Sequence, residues 1–200
     1  MVILSSEEFR NQENKRIQMG SVGSQRGGVE SLINKINLQS NRGFGHEGMG
    51  QVVETSLSKN EYIGYLMIDD RVAASGFGKV DSSGVDSSGV DVHSKYKTMY
   101  LHSISVSEEF RGQGLCKKIT NEFIKKFGND HILYLTVRTQ EGKVNISGIK
   151  CYEKNGFILL PEVYRDHYDG KNTAMIRLPT QNSIRSRRKR NRKKSRIKRK

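Results

Sequence analysis

Short runs of strand-forming residues, several of them alternating between apolar and polar positions, occur along the whole chain and predict the strands of a sheet. These runs lie at 2–4, 61–70, 71–80, 97–106, 131–137, 157–160 and 173–178. Helical spacing of apolar residues or a capping Ser-Ser-Glu-Glu run predicts helices at 5–17, 29–38, 114–128 and 144–156. The order of these elements predicts a mixed sheet with helices packed on it.

Two stretches between these elements are predicted to be loops. Eight glycines lie between Gly20 and Gly50, on both sides of the helix predicted at 29–38. A five-residue unit, DSSGV, occurs twice in Asp81–Asp91. The repeat is too short for a solenoid and lacks the glutamate of a calcium-binding loop, so we expect it to extend a hairpin loop into solvent.

Positive charge is concentrated at the C-terminus. The chain has 35 Lys and Arg against 21 Asp and Glu, a formal net charge of +14. Residues 183–200 hold twelve of the basic residues and no acidic one, which leaves 23 basic residues elsewhere. We expect one domain at 1–180 and a disordered basic tail at 181–200, because like charges without apolar partners do not form a core. Such a tail favours contact with nucleic acid or an acidic protein, nuclear targeting, or solubility alone.

Cys116 and Cys151, the two cysteines, match neither the spacing of a metal site nor that of a disulfide scaffold. We therefore expect each to be a small core residue in a reducing intracellular compartment, either the cytoplasm or, with the basic tail as an import signal, the nucleus. The N-terminus has no signal-peptide pattern, and no apolar run reaches the ~20 residues that span a bilayer. Neither a metal cofactor nor a membrane partner is expected.

The strand predicted at 97–106 is followed by Arg-Gly-Gln-Gly at 111–114 and then by a helix. Glycines leave the backbone N–H groups of such a turn uncovered, and these groups add to the positive end of the helix dipole. A turn of this kind binds anions such as phosphate. Many turns carry two glycines, so the motif by itself is also compatible with a plain connection between a strand and a helix.

Two motifs together resemble those of the GNAT superfamily of N-acetyltransferases. Arg111, Gly114 and Cys116 stand at the three positions of the acetyl-CoA pyrophosphate loop, Arg-x-x-Gly-x-Gly/Ala, with cysteine as the last small residue. Downstream, Asn145–Phe157 is similar to the second signature, Asn-x-x-Ala-x-x-x-Tyr-x-x-x-Gly-Phe, with Gly148 in place of alanine. The two motifs follow each other in the order that the family has.

This resemblance covers 99–178 by motif and 1–98 by the order of elements. It implies a mixed, mostly antiparallel central sheet with helices on both faces, in which two parallel strands splay apart and hold acetyl-CoA. The residues implied for cofactor binding comprise the end of the strand, the turn and the start of the second signature. They are Ile104, Ser105, Val106, Arg111, Gly112, Gln113, Gly114, Leu115, Cys116 and Asn145.

Each part of this set has its own implied role. The backbone of 104–106 would pair with the pantetheine arm, and the N–H groups of 111–116 would bind the pyrophosphate. The charge of Arg111 would add to that site, unless it is only a solvated turn residue. Asn145 would contact the pantetheine region, cap the following helix, or do both.

Acetyl transfer to an amine needs a base for the amine and a proton donor for the departing thiolate. The run that includes His102 is similar to the strand of arylalkylamine N-acetyltransferases on which histidines assist amine deprotonation. His102 stands at one such position and Tyr100 at the other, so His102 is the candidate base. The alternatives are a histidine that only fills the strand surface, or a base among Glu108, Glu109 and Glu141.

Tyr152 is the candidate acid. It stands at the tyrosine position of the second signature, and a phenol with an ordinary pKa of ~10 can share a proton with a thiol of pKa ~8.5. Its alternative role is packing next to Phe157.

The resemblance therefore implies an acetyl-CoA-dependent N-acetyltransferase that moves an acetyl group to a primary amine by direct attack in a ternary complex. The acceptor is either a small molecule or a protein, because the stretches that would select it, 18–50 and 161–172, match no pattern. The alternative is a non-catalytic or weakly catalytic protein of the same fold that binds nucleic acid or another polyanion through 183–200.

Overall fold

A computed structural model describes residues 2–11, 28–44, 52–81, 97–140, 143–165 and 171–179. Several sequence-based predictions lie outside these ranges. They concern the basic tail, the DSSGV repeat beyond Asp81, the alternative base Glu141 and much of the glycine-rich stretch between Gly20 and Gly50.

The described residues form strands and helices in nearly the predicted order. The strands are β1 (Val2–Ser5), β2 (Tyr62–Ile68), β3 (Arg71–Asp81), β4 (Lys97–Val106), β5 (His131–Gln140), β6 (Lys143–Val144), β7 (Ile158–Arg165) and β8 (Lys171–Arg177). The helices are α1 (described over 6–11), α2 (Gly28–Phe44), α3 (Val52–Ser58), α4 (Leu115–Phe127) and α5 (Ile146–Glu153), and a 3-10 turn covers Glu108–Phe110. The sequence did not predict α3, the 3-10 turn or β6, all of which are short.

Seven strands form one sheet in the order β1-β2-β3-β4-β5-β8-β7, and β6 pairs with β5 outside this order. The pair β4 and β5 is parallel, and the other neighbours are antiparallel. A parallel pair needs a crossover, which α4 supplies between these two strands. The predicted fold class, a mixed and mostly antiparallel sheet with helices on both faces, is confirmed.

The helices divide between the two faces of the sheet. Side chains alternate along the strands, so Ile63 and Phe77 pack in a core shared with α1, α2 and α3. On the other face, Met99 and Leu101 pack in a second core, which is shared with α4 and α5. The buried stripe of α4 that enters this second core repeats every fourth residue, as the sequence predicted, and consists of Leu115, Ile119, Phe123 and Phe127.

A β-bulge interrupts β4 just after His102. Phe77 of β3 pairs with His102 and Ser75 pairs with Ser105, so β4 holds one residue more than β3 over this step. Ser103 takes up the extra residue with a left-handed φ of 49°. The bulge also shifts the alternation, because Ile104 packs into the α4 core whereas Ser105 faces α2.

Candidate functional site

The parallel strands β4 and β5 separate next to this bulge. Their ladder joins Lys97–Leu101 to His131–Leu135 and stops there, although β4 continues to Val106 and β5 to Gln140. Beyond the bulge, Ser105 and Val106 still pair with β3 on the other side. The edge of 104–106 that faces β5 therefore has no strand partner among the described residues. This is the arrangement expected of two strands that hold an extended ligand between them.

The turn that follows β4 leads into α4 through two glycines in the left-handed region. Gly112 has a φ of 79° and Gly114 a φ of 72°, and L-residues rarely adopt either value. A Cβ built on either glycine would meet no heavy atom of the described residues within 4 Å. The glycines are therefore required by backbone conformation rather than by crowding, and the space in front of the turn is open to a ligand.

The N–H groups at this turn differ in one respect from the predicted set. The Arg111 N–H donates to the carbonyl of Glu108 at 3.1 Å, so it closes the 3-10 turn and the predicted backbone contact from Arg111 is wrong. The Lys118 N–H donates to the carbonyl of Gly114 at 3.0 Å, which marks the first turn of α4. The N–H groups of Leu115 and Cys116 precede that bond and so lack an intrahelical acceptor.

The guanidinium of Arg111 lies beside this turn and is about half exposed. Its Nη1 is 3.9 Å from the carboxylate of Glu108, whose side chain is 89% exposed. An exposed pair at this distance is weak, so the guanidinium can turn towards an anion at little cost. The side chain of Arg111 thus remains a candidate phosphate ligand.

Asn145 is the N-cap of α5. Its side-chain oxygen accepts a hydrogen bond from the Gly148 N–H at 2.9 Å. Of the two roles considered for Asn145 from the sequence, capping is the one seen. At the other end of α5, Gly156 has a φ of 80° and donates to the carbonyl of Glu153, which ends the helix where the sequence predicted.

Tyr152 projects from α5 and is partly buried against the α4 core. Its ring packs edge-on to that of Phe157 with 6.0 Å between the centroids. Burial, with a smaller contribution from the nearby Tyr100, raises the pKa of the Tyr152 hydroxyl well above its ordinary value. Tyr152 therefore packs in the core next to Phe157 and keeps its hydroxyl protonated, while its role as the acid stays a prediction.

His102 lies on the opposite face, in a stack of aromatic rings. Its ring is nearly parallel to those of Phe77 and Tyr100, with centroid distances of 5.7 and 5.5 Å. Its Nε2 is 3.0 Å from a carboxylate oxygen of Glu61, and its Nδ1 is 3.3 Å from the hydroxyl of Ser103. His102 is therefore a fixed, hydrogen-bonded residue at the point where β4 and β5 separate.

Glu61 is the residue of this site that the sequence analysis missed. Its side chain is only 5% exposed. Burial disfavours its charge, but the hydrogen bond and charge of His102, together with smaller contributions from Ser56 and Lys59, outweigh that effect and lower the pKa of Glu61. The signal was available in the sequence, because Glu61 lies in step with the buried Ile63 on an alternating strand, and a buried acid requires a partner.

Two of the other candidate bases, Glu108 and Glu109, have no contact with His102 among the described residues, and the third, Glu141, lies outside them. Glu109 forms an ion pair with Arg71 at 2.7 Å, and both side chains are about half exposed. Glu108 is exposed beside Arg111. Both glutamates belong to the 3-10 turn, which favours a structural role for them in holding that turn in place.

The two cysteines are bonded to each other, which corrects the sequence-based expectation of two separate core residues. The disulfide between Cys116 and Cys151 joins the first turn of α4 to α5, immediately before Tyr152. Their spacing of 35 positions gave no sign of the pairing, because it arises from the packing of α4 against α5.

Two further properties concern the described residues as a set. They contain no group of three or more His, Cys, Asp and Glu side chains that could hold a metal ion. Their helices include none that is both long enough and apolar enough to cross a membrane.

Solved structures with the same fold include acetyltransferases. One is a GNAT family acetyltransferase from Streptococcus agalactiae, with a TM-score of 0.53, 16% identity, and coverage of 90% of this chain and 95% of that one. ElaA from Escherichia coli has a TM-score of 0.55, 15% identity, and coverage of 88% and 97%. A ribosomal-protein-alanine N-acetyltransferase from Brucella melitensis has a TM-score of 0.51, 13% identity, and coverage of 78% and 98%. At these identities the similarity shows the fold alone.

Sequence comparison gives a more direct result. No curated protein matched the chain. The model of the acetyltransferase (GNAT) family matches residues 41–157, which include the glycine turn, the disulfide, His102 and Tyr152. Because this match spans more than half of the chain, the protein belongs to the GNAT family of acetyltransferases.

Proposed function

We propose that this protein is an acetyl-CoA-dependent N-acetyltransferase that transfers the acetyl group to a primary amine by direct attack in a ternary complex. GNAT enzymes use acetyl-CoA as the acetyl donor. The observation that carries the proposal is the end of the β4–β5 ladder at Leu101, with a glycine turn on one side of it and Tyr152 and His102 nearby.

The donor fits the described residues at two places. The unpaired edge of 104–106 offers backbone groups to an extended pantetheine arm. The open space in front of Gly112 and Gly114, at the positive end of the α4 dipole, suits a pyrophosphate. The side chain of Arg111 adds a positive charge there.

The two faces of the sheet give the two substrates separate routes. His102 belongs to the face covered by α1, α2 and α3, since it stacks on Phe77 of that core. Tyr152 belongs to the face covered by α4 and α5. An amine that reaches the gap from the His102 side would meet the acetyl carbon while the sulfur lies on the Tyr152 side. This placement supports direct attack rather than an acetylated enzyme.

The residues of the site would then move two protons. As the amine nitrogen bonds to the acetyl carbon and the carbon–sulfur bond breaks, Tyr152 donates a hydrogen bond or its proton to the departing thiolate. The proton lost by the amine goes to the His102 side. Because its pKa is raised, the Tyr152 hydroxyl stays protonated and would stabilise the thiolate as a hydrogen-bond donor. Full transfer of its proton is uphill, since a thiol has an ordinary pKa of only ~8.5.

Two measurements test the proposal. Above the Kd, the melting temperature of the protein should rise in proportion to the logarithm of the acetyl-CoA concentration. ATP at the same concentration is the phosphate-bearing control and should raise the melting temperature less. A panel of primary amines, including polyamines, arylalkylamines and peptides with lysine or a free N-terminus, should then release free thiol from acetyl-CoA. Absence of both binding and thiol release would refute the proposal.

We also propose that the basic tail, 183–200, contacts a polyanion, because it carries twelve Lys and Arg and no acid. On its own, this contact would be the whole function of a non-catalytic protein. Deleting 183–200 should abolish salt-sensitive binding to nucleic acid while acetyl-CoA binding is retained. Retained nucleic-acid binding by the deletion variant would contradict this role.

A further inference from the structure

Three side chains form a hydrogen-bonded row where β4 and β5 separate. The carboxylate of Glu61 contacts Nε2 of His102 at 3.0 Å, and Nδ1 of the same ring contacts the hydroxyl of Ser103 at 3.3 Å. Both nitrogens of the imidazole therefore have a partner. The row runs from the buried start of β2 to the bulge of β4.

The carboxylate fixes the tautomer of the histidine. An ionised carboxylate only accepts hydrogen bonds, so Nε2 must carry the proton that it donates to Glu61. The lone pair of neutral His102 is then on Nδ1, facing Ser103. The basic atom of His102 is thus the one next to the bulge and not the one that points towards Glu61.

Glu61 is itself held in place by its backbone. Its N–H donates to the carbonyl of Ser56 at 2.9 Å, and its carbonyl accepts from the Ser6 hydroxyl at 2.6 Å. These bonds anchor it between α1, α3 and β2. Because its side chain is buried and its charge is costly there, the carboxylate depends on its partners, of which His102 contributes most.

Ser103 has an unusual backbone for its residue type. It is a non-glycine residue with a φ of 49°, and such conformations persist where the surrounding structure enforces them, often at functional sites. The bulge places its hydroxyl within reach of His102 Nδ1, at the end of the ladder between β4 and β5.

We propose that Glu61, His102 and Ser103 form a proton relay for the acceptor amine, an inference that rests on the proposed function. The Ser103 hydroxyl takes a proton from the amine nitrogen as that nitrogen bonds to the acetyl carbon, and it passes its own proton to Nδ1 of His102. The resulting imidazolium is stabilised by the charge of Glu61 and returns its proton to water after product release. Glu61 is a positioning residue, since it acts through His102.

The first test compares turnover of variants with the amine that the wild-type protein acetylates best. Glu61→Gln keeps the size of the side chain and should lower kcat about tenfold or more, with the KM for acetyl-CoA within about twofold, since general base catalysis contributes about 10²-fold or more. Glu54→Gln is the matched control. The Glu54 carboxylate accepts a hydrogen bond from the Asn37 side chain at 2.9 Å and is not part of the row with His102. If the wild-type protein turns over the amine and Glu61→Gln has the same kcat, the relay is overturned while the proposed function stands.

Ser103 needs two variants because its backbone is strained. Ser103→Ala removes the hydroxyl and keeps the strain, whereas Ser103→Gly removes the hydroxyl and relieves it. Both should lower kcat to a similar extent. A normal kcat for Ser103→Gly would show that the hydroxyl is dispensable and would overturn the relay.

The second test needs no substrate. Long-range ¹H–¹⁵N NMR correlations identify the tautomer of each neutral histidine, and His102→Gln assigns the signal of His102 among the five histidines. We expect His102 to hold the Nε2–H tautomer in the wild-type protein and to populate both tautomers in Glu61→Gln. His131 is an internal control, because its Nδ1 lies 2.7 Å from Asp130, so it should hold the Nδ1–H tautomer in both proteins.

The outcomes separate the relay from the function on which it rests. The Nδ1–H tautomer at His102 in the wild-type protein would overturn the relay whatever the activity. If the wild-type protein acetylates no amine although it binds acetyl-CoA, the proposed function fails and the relay fails with it.

Discussion

The sulfur atoms of Cys116 and Cys151 are bonded, and this bond ties the glycine turn at the start of α4 to the helix that carries Tyr152. Cys116 occupies the last small position of the pyrophosphate motif, and Cys151 is the neighbour of the candidate acid. The bond thus connects the proposed phosphate site to the proposed proton donor.

Reduction of this disulfide should lower both stability and activity. A cross-link with 35 residues of sequence separation stabilises a protein by about 4 kcal/mol through the unfolded chain. We expect a dithiol reductant to lower the melting temperature by several degrees. It should also lower kcat, because α5, the helix that carries Tyr152, loses its covalent link to α4. Thermal denaturation and turnover with and without reductant measure both effects.

The control for this prediction is the double variant Cys116→Ser, Cys151→Ser. It should resemble the reduced protein and be insensitive to reductant. If the reductant left the melting temperature of the wild-type protein unchanged, the bond would contribute nothing to the folded state.

Tyr152→Phe should lower kcat by about 10²-fold and leave acetyl-CoA binding nearly unchanged, because it removes a proton donor but retains the ring that packs on Phe157. Steady-state kinetics and calorimetric titration with acetyl-CoA measure the two effects. Tyr62→Phe, on a ring that packs against Phe127 at 4.7 Å, is the matched control and should keep full turnover. An unchanged kcat for Tyr152→Phe in a folded protein would exclude the acid role.

The raised pKa of Tyr152 predicts a loss of stability at high pH. The hydroxyl keeps its proton in the folded state where an unfolded tyrosine, with an ordinary pKa of 10.0, releases it. The contribution is therefore complete below about pH 10 and is lost as the pH rises further. Urea denaturation at several alkaline pH values should show a steeper fall in the unfolding free energy for the wild-type protein than for Tyr152→Phe. Parallel curves would contradict the assignment.

Substitution of the turn glycines should separate strain from ligand binding. Gly112→Ala, Gly114→Ala and Gly156→Ala each place a Cβ on a left-handed residue and should cost about 1 kcal/mol of stability. Only the first two put that Cβ into the open space in front of the turn, so only they should weaken acetyl-CoA binding, by about tenfold or more. Equal affinities for all three variants in calorimetric titrations would refute the phosphate site.

Arg177 should stabilise two helices at once. Its Nε donates to the carbonyl of Asn155 at 3.2 Å and its Nη1 to the carbonyl of Gly128 at 3.5 Å, just beyond the ends of α5 and α4. A cation at a helix C-terminus is favourable, so Arg177→Ala should lower the unfolding free energy by about 1 kcal/mol. Arg71→Ala, which breaks an exposed pair with Glu109, should cost less. Denaturation curves give the loss of unfolding free energy for each variant. A larger loss for Arg71→Ala than for Arg177→Ala would contradict the role of Arg177.

The predictions from sequence succeeded where the signal was local. The strand at 97–106 was predicted with the bounds that β4 has, and the helix predicted at 114–128 contains α4, Leu115–Phe127. Predictions failed where a short element or a distant contact decided the outcome. Val52–Ser58 is too short for helical periodicity to show, and the N–H of Arg111 was assigned to a ligand although a 3-10 turn uses it.

The sequence by itself determined the order of elements, the left-handed glycine turn and the placement of Tyr152 on the helix after β5, because spacing and turn chemistry act over a few residues. Only the tertiary structure decided that Glu61 meets His102 and that Cys116 meets Cys151. The partners in these pairs are 41 and 35 residues apart, and no local rule links them. The packing of helices on both faces of the sheet brings them together, so the chemistry of the site depends on contacts that exist only in the folded chain.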